Sequence, residues 1–277
     1  MHAYIQEYKH FGLCLFAENG DVKIGIPLNF GIRISYLSYK GSENLFFEQP
    51  ADMTDITTEE GWRVYGGHRL WMAPESGITY YPDNDPITYQ LVDDKIVLTQ
   101  EIDPWLNIKK VFEITLGKKT VKIKHIVQNL NDKPIKFALW PITSLDGGGV
   151  ETIPLPTLKD GFKKHYNLTS WYYNDLSDER VEFSKNYITI THKPIKVNFK
   201  IGVGHPYGNV KYVNKGVVFE KAYKVFDNKK YTDGGVSYET YFCEHMVEVE
   251  TLSPLFTIKP NKTAVHTEKW ILSKNKK

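Results

Sequence analysis

Two stretches carry residue types that chemistry needs. Gly66-Gly67-His68-Arg69-Leu70-Trp71-Met72-Ala73-Pro74-Glu75 fits neither strand alternation nor helical periodicity. Its glycine pair allows unusual backbone angles and a close approach of backbone to another group. His68, Arg69 and Trp71 together suit a polar ring such as a sugar. The guanidinium offers a planar fork of donors, and an indole face covers the apolar side of the ring. The plainer reading is a structural loop with one salt bridge and a buried tryptophan. The second stretch is Phe242-Cys243-Glu244-His245-Met246-Val247-Glu248-Val249-Glu250-Thr251-Leu252-Ser253-Pro254. As a strand it places Glu244, Glu248 and Glu250 on one face and Val247 and Val249 on the other. Carboxylates two residues apart lie roughly 7 Å from each other. Like charge at that range, with partial burial, raises a glutamate pKa toward general-base work. An acidic face in solvent over a valine core is the plainer alternative.

Other residues form a second tier. Trp140, in Phe137-Ala138-Leu139-Trp140-Pro141-Ile142-Thr143, suits a sugar platform or a core position, and Pro141 should end the strand or mark an edge. Asp233, in Tyr231-Thr232-Asp233-Gly234-Gly235, belongs first to a turn and is also placed to accept a hydrogen bond from a ligand hydroxyl. His125 shares a face with Val121, Ile123 and Val127 and reads as a hydrogen-bonded core histidine. His266, Glu268 and Trp270 share a face that suits either a cleft or packing. The sequence has no HExxH, EF-hand or zinc-type spacing, so no metal is expected. GxSxG and Walker- or Rossmann-type phosphate loops are absent as well.

The elements that must position these residues are short alternating runs. Val121 to Val127 is the clearest; Ile96–Thr99, Phe112–Leu116, Ile188–Thr191, Val197–Ile201 and Val265–Glu268 follow the same pattern. Turn chemistry breaks them at Glu18–Asp21, Leu116–Lys119, Asn129–Pro134 and Lys259–Lys262. Asn129–Pro134 reads as a hairpin. The only helical start is a short one at Thr57-Thr58-Glu59-Glu60. The stretch from Pro154 to Asp178 is aromatic and polar without period, as a cleft-lining loop or surface excursion would be. The expectation is an all-β chain, one domain over residues 1–277, with two large antiparallel sheets packed as a sandwich.

The totals set bounds. A chain of 277 residues with net charge +2 and charges of both signs spread along it has no basic block outside Lys274–Lys277, so no nucleic acid is expected. No eighteen-residue apolar window exists, so no membrane span is expected, and Met1–His10 lacks the apolar run of a signal peptide. Cys14 and Cys243 have no CxxC partner, which suits a reducing compartment and, with the rest, a cytoplasmic location. Arginine is confined to Arg33, Arg63, Arg69 and Arg180. A monomer or a homodimer joined through edge strands fits these features.

Taken together, the Gly66–Glu75 stretch, Val-Glu-Val-Glu-Thr-Leu-Ser-Pro-Leu near the end, and the closing Lys-Pro-Asn-Lys-Thr-Ala-Val-His-Thr-Glu-Lys-Trp-Ile-Leu resemble the galactose mutarotase-like (aldose 1-epimerase-like) superfamily. Asn29–Ile34 and Gly41–Leu45 are similar to its first β-meander, and the closing segment to its terminal hairpin. The nearest likeness is to a branch with the Gly-Gly-His-Arg-Leu-Trp signature. The resemblance implies a supersandwich that anomerises an aldose or sugar phosphate without a cofactor. It makes Glu250, within Glu-Thr ahead of Pro254, the general base, and it makes Arg69 and Asp233 sugar contacts, with Trp71, Trp140 and Glu248 beside them. Trp140-Pro141-Ile142-Thr143 stands where the family keeps its acid histidine, which leaves His68 to supply the proton. The alternative implied by that departure is a carbohydrate-binding or regulatory protein that has lost the acid. A lyase or hydrolase of a larger glycan is a third reading.

Overall fold

Alternating apolar residues with β-branched and aromatic neighbours leave this chain one economical way to bury its apolar face, which is sheet against sheet. A computed structural model describes residues 1–53, 61–156, 166–204 and 209–275. Its strands, numbered in chain order, form three antiparallel sheets. The first is a meander of β1 (His2–Glu7), β2 (Leu13–Asn19), β3 (Val22–Pro27) and β4 (Tyr36–Tyr39). The second runs β12 (Leu168–Ser170), β15 (Phe199–Val203), β18 (Tyr238–Phe242), β19 (Met246–Thr251), β10 (Ile135–Asp146) and β20 (Phe256–Ile258), with β5 (Gly67–Ala73) also paired to β10. The third runs β13 (Val181–Phe183), β14 (Tyr187–Thr191), β11 (Val150–Pro154), β16 (Val210–Asn214), β17 (Val217–Tyr223), β21 (Thr263–Lys274), β9 (Thr120–Asn129), β8 (Ile108–Gly117), β7 (Lys95–Thr99) and β6 (Thr88–Val92). The fold is thus the expected all-β sandwich. The only helices among the described residues are the single 3₁₀ turns Lys9–Phe11 and Gly77–Thr79, and none is long and apolar enough to cross a membrane. The short helix expected at Thr57–Glu60 lies outside the described residues.

One buried cluster joins all three sheets, through residues such as Ile24, Leu139, Val249, Ile123 and Phe219. It sets the direction of every alternation. In β10, Leu139, Thr143 and Leu145 face this core, and in β19 Val247, Val249 and Thr251 do. The intervening residues therefore emerge on the outer face of the second sheet. There a smaller buried cluster gathers Trp71, Trp140, Ile142 and Met246 with Trp62 and Tyr231 from loops.

Two turns do something other than expected. Asn129–Pro134 does not close a hairpin. β9 pairs with β8 and β21, whereas β10 pairs with β5, β19 and β20. The turn carries the chain from one sheet to the other, held by Asn129 Nδ2 donating to the carbonyls of Lys133 and Ile258. Lys259–Lys262 is likewise a crossing, from β20 to β21, and not a terminal hairpin. Turn residues specify the local backbone angles but not which sheet receives the next strand. Pro141 sits inside β10 rather than at its end. The ladder to β19 begins at Ile142 and that to β20 ends at Phe137, so Pro141 falls in the gap, where no partner requires its missing N–H. Ser253 fills the rest of the gap, its N–H donating to the Leu139 carbonyl and its hydroxyl accepting from the Leu139 N–H.

Candidate functional site

The glycine pair fixes where β5 starts. Gly66 and Gly67 have φ of 82° and 72°. A Cβ would lie 2.1 Å from the Phe47 carbonyl oxygen at Gly66 and 2.4 Å from that of Ile34 at Gly67. Only glycine permits both the angle and the approach. β5 then docks on β10, with Arg69 opposite Ile142 and Trp71 opposite Trp140. The outward residues of β5, β10, β15, β18 and β19, together with loop residues, enclose a cavity of about 250 Å³. Arg69, Trp71, Trp140, Lys200, Glu248 and Glu250 line it, with Trp62, Glu75, Tyr80, Tyr173 and Tyr241. A larger cavity of about 480 Å³ around Phe226, Leu255 and Phe256 contains no carboxylate. We assign the candidate site to the smaller one, because among the described residues of these two cavities only there do carboxylates, cations and unbonded buried polar atoms meet.

Its tryptophans do not serve as open platforms. The Arg69 guanidinium carbon stands 4.6 Å from the Trp62 ring centre and 4.3 Å from that of Trp71. Lys200 Nζ stands 4.4 Å from the Trp140 ring and 4.8 Å from Trp171. The indoles hold the two cations in place through the attraction of a positive charge for a ring face. Trp140 also donates from Nε1 to Glu250 Oε2 at 2.7 Å. The ring faces expected to cover a sugar are thus committed to Arg69 and Lys200, which leaves Tyr80, Tyr173 and Tyr241 as the other aromatic walls.

Two polar atoms point at unmet demand. Glu250 Oε1 and Arg69 Nη1 are buried and have no hydrogen-bond partner among the described residues. Each such atom costs about 1–3 kcal/mol if left so, and a hydroxyl-rich ligand would satisfy both. Burial lowers the Arg69 pKa to about 10, so it remains a cation at neutral pH. Burial pushes the Glu250 carboxyl well above its ordinary range; Lys200 opposes this, and Glu239 and Glu248 add to it. Glu248 accepts a hydrogen bond from Ser144 Oγ at 2.7 Å.

Of the sequence-derived candidates, the cleft brings together Arg69, Trp71, Trp140, Glu248 and Glu250. Two candidates fall elsewhere. Asp233 is the left-handed turn residue expected (φ 51°), but it does not line the cleft, and its carbonyl accepts from Thr169 Oγ1. His68 follows strand alternation onto the face opposite Arg69. It is fully buried between the sheets, with Nδ1 2.8 Å from Thr143 Oγ1 and Nε2 2.8 Å from His125 Nε2. Burial holds its pKa well below the ordinary value. His68 therefore does not serve the cleft as an acid. Glu244 precedes β19 and lies outside the cleft.

His68 belongs to a polar network inside the core. Lys221 Nζ donates to Thr143 Oγ1 (2.7 Å), the Val249 carbonyl (2.8 Å) and Glu268 Oε1 (3.1 Å). Thr251 and Trp270 donate to Glu268, Thr251 Oγ1 lies 2.9 Å from His266 Nε2, and His125 Nδ1 lies 3.2 Å from the His266 carbonyl. His266, Glu268 and Trp270 thus face the core. The network closes if Thr143 donates to His68 Nδ1, His68 Nε2–H to His125, and His125 Nδ1–H to His266. Burial lowers His125 to about 3 and His266 to about 4, so these rings are neutral. Burial would raise Glu268, but Lys221 and the three histidines hold it well below the carboxylate range. Donor atoms of His68, His125 and Glu268 lie within 4.8 Å of one another, close enough to suit a metal ion. Each donor already has a partner, and a Lys221 ammonium stands against any added cation, so the group reads as a polar core.

Sequence reasoning missed Lys200, Glu239 and the loop aromatics. Lys200 alternates between Phe199 and Ile201, and Glu239 between Tyr238 and Thr240; nothing in that pattern tells a covered face from a solvated one.

No family profile and no curated protein matches the chain by sequence. Solved structures do match. A galactose mutarotase-like protein from Lactobacillus casei superposes with a TM-score of 0.62 at 12% identity, over 94% of this chain and 100% of that one. A galactose mutarotase related enzyme from Lactobacillus acidophilus gives 0.54 at 10% identity, over 94% and 97%. A TPR-domain containing protein from Parabacteroides distasonis gives 0.67 at 16% identity, over 96% of this chain and 48% of that one. At these identities the likeness is one of architecture, and the chain has the β-sandwich fold of galactose mutarotase-like proteins.

Proposed function

We propose that the cleft binds an aldose and that Glu250 is the general base for its anomerisation, without a cofactor. The observation that carries this reading is Glu250 itself. One carboxylate oxygen is anchored by the Trp140 indole, and the other is buried, unbonded and part of the cleft wall. In this reaction Glu250 Oε1 takes the proton from the anomeric hydroxyl. The bond from C1 to the ring oxygen breaks, and the ring oxygen takes a proton from a water molecule; on reclosure that proton returns to the hydroxide and Glu250 gives its own back to O1. Rotation of the open-chain aldehyde and reclosure in the reverse sense give the other anomer. Arg69 orients the ring hydroxyls. Burial strengthens Glu250 as a base once it is ionised. About 250 Å³ is below the usual range for drug-sized ligands, which favours a single ring over a glycan chain.

A second reading is sugar binding without anomerisation. The placement of His68 in the core favours it, because no histidine lines the cleft among the described residues. Exchange NMR of anomeric protons across a panel of aldoses and sugar phosphates, with tryptophan fluorescence for binding, separates the two. The first reading expects faster interconversion of at least one sugar and a loss of about 10²–10⁴-fold in Glu250→Gln with binding retained. Saturable binding without any rate effect supports the second reading. A Glu250→Gln protein as fast as the parent removes Glu250 from the mechanism.

A further inference from the structure

Glu239 and Glu250 stand directly opposite each other in the β18–β19 ladder, and both side chains leave the same face of the sheet. Lys200, from the next strand, reaches between them. Its Nζ lies 2.9 Å from Glu239 Oε2 and 3.3 Å from Glu250 Oε2. All three side chains are more than nine-tenths buried. One ammonium thus faces two carboxylates, and on each carboxylate the other oxygen, Oε1, has no partner among the described residues.

Among the described residues the surroundings do not supply the missing positive charge: Lys221, on the core side of the sheet, interacts with Glu250 but is paired with Glu268. Asp233 and Glu75 add negative potential at Glu239, and Glu248 adds it at Glu250. Arg69, the other cation of the cleft, is held between the rings of Trp62 and Trp71. Two ionised carboxylates sharing one buried cation would leave a net charge with neither water nor partner, a cost of several kcal/mol. A proton on one of them removes that cost.

We propose that Glu239, Lys200 and Glu250 form one proton-sharing unit at the floor of the cleft, with Glu239 as the positioning residue that decides whether Glu250 is ionised. This rests on the reading of Glu250 as the base. Each carboxylate is held above its ordinary range by burial, Glu239 at about 7. With the shared proton on Glu239, Glu250 is ionised beside Lys200, and a sugar proton arriving on Glu250 leaves both carboxyls neutral with Lys200 as the one charge of the unit. When Glu250 returns that proton, the unit again holds one proton and Lys200 again faces one ionised carboxylate. No atom other than the proton is transferred, and the unit begins and ends each turnover with one shared proton.

Carbon-13 NMR of protein labelled at the glutamate carboxyl carbon, titrated from pH 4 to 10, tests this without a substrate. In the parent protein, the Glu239 and Glu250 signals should each move in two steps at the same two pH values. Two independent single-step curves overturn the proposal. In Glu239→Gln, Lys200 serves Glu250 alone, and the Glu250 midpoint should fall by at least one pH unit; an unmoved midpoint overturns the proposal. The shorter Glu239→Asp should give an intermediate shift. In the exchange assay, the rise of rate with pH should move to lower pH in Glu239→Gln. A chain that anomerises no sugar but shows the shared two-step titration keeps the unit and loses the function assigned to it.

Discussion

Replacing Lys221 with methionine tests the energetics of the core network most directly. Methionine keeps the unbranched stem and removes only the ammonium, so packing volume changes little. Three donated hydrogen bonds disappear, and the Glu268 carboxylate loses its one full positive charge. Removing one partner of a buried ion pair costs about 3–5 kcal/mol. The neutral histidines beside Glu268 offer the variant partial relief, because one of them gains a proton when the solution supplies it. The sign of the pH effect follows. Glu268 is held below its unfolded value, so its contribution in the parent is complete above about pH 5 and fades as the pH falls through the acid range. In Lys221→Met that contribution is gone, and protonation at low pH repairs the site. The loss measured by urea denaturation should therefore be about 3–5 kcal/mol at pH 8 and smaller at pH 5. The double variant Lys221→Met with Glu268→Gln, which removes both charges, should recover most of it. A loss under about 1 kcal/mol at pH 8, or a double variant as unstable as the two single losses added together, refutes the account of a charged pair inside a neutral network.

Two further predictions concern the cleft and its frame. Arg69→Lys keeps the charge but loses the planar fork stacked on Trp62 and Trp71, and should weaken sugar binding about tenfold, read by tryptophan fluorescence; unchanged affinity removes Arg69 as a ligand contact. Gly67→Ala places a methyl 2.4 Å from the Ile34 carbonyl oxygen at a φ of 72°, and should destabilise the protein by more than about 1 kcal/mol in urea denaturation or prevent its recovery in soluble form; parent-like stability contradicts the described start of β5.

Period-two alternation made much of the architecture legible in advance. Val121–Val127 became the inward face of β9, and His125 is the core histidine its neighbours implied. Glu248 and Glu250 share a face, as their spacing requires, and that face lines the cleft together with Arg69, Trp71 and Trp140. What alternation cannot supply is the identity of the covered face. His68 and Arg69 are adjacent and equally polar, and only the docking of β5 on β10 decided that one enters the core and the other the cleft. Lys200 and Glu239 carry no mark in the sequence because alternation alone does not tell a covered sheet face from a solvated one. Part of the cover comes from the stretch between Pro154 and Asp178, where Tyr173 lines the cleft, while residues 157–165 lie outside the described part. Asn129–Pro134 and Lys259–Lys262 failed as hairpin predictions for a related reason, since partner choice is settled by distant strands.

The position of β21 has a consequence for how the protein is made. This strand pairs with β9 on one side and β17 on the other, so it lies inside the ten-stranded sheet although it follows all the other strands in the chain. During synthesis the part of that sheet from β6 to β9 and the part from β11 to β17 each wait with an unpaired edge until residues 263–274 have left the ribosome. The same strand delivers Glu268, so Lys221 on β17 lacks the carboxylate it pairs with until then. Closure of the sheet is therefore a late, long-range event, of the kind that slows folding and exposes strand edges to wrong partners. A nascent chain halted before Thr263 should depend on chaperones that shield strand edges, and one carried through Lys274 should be released from them.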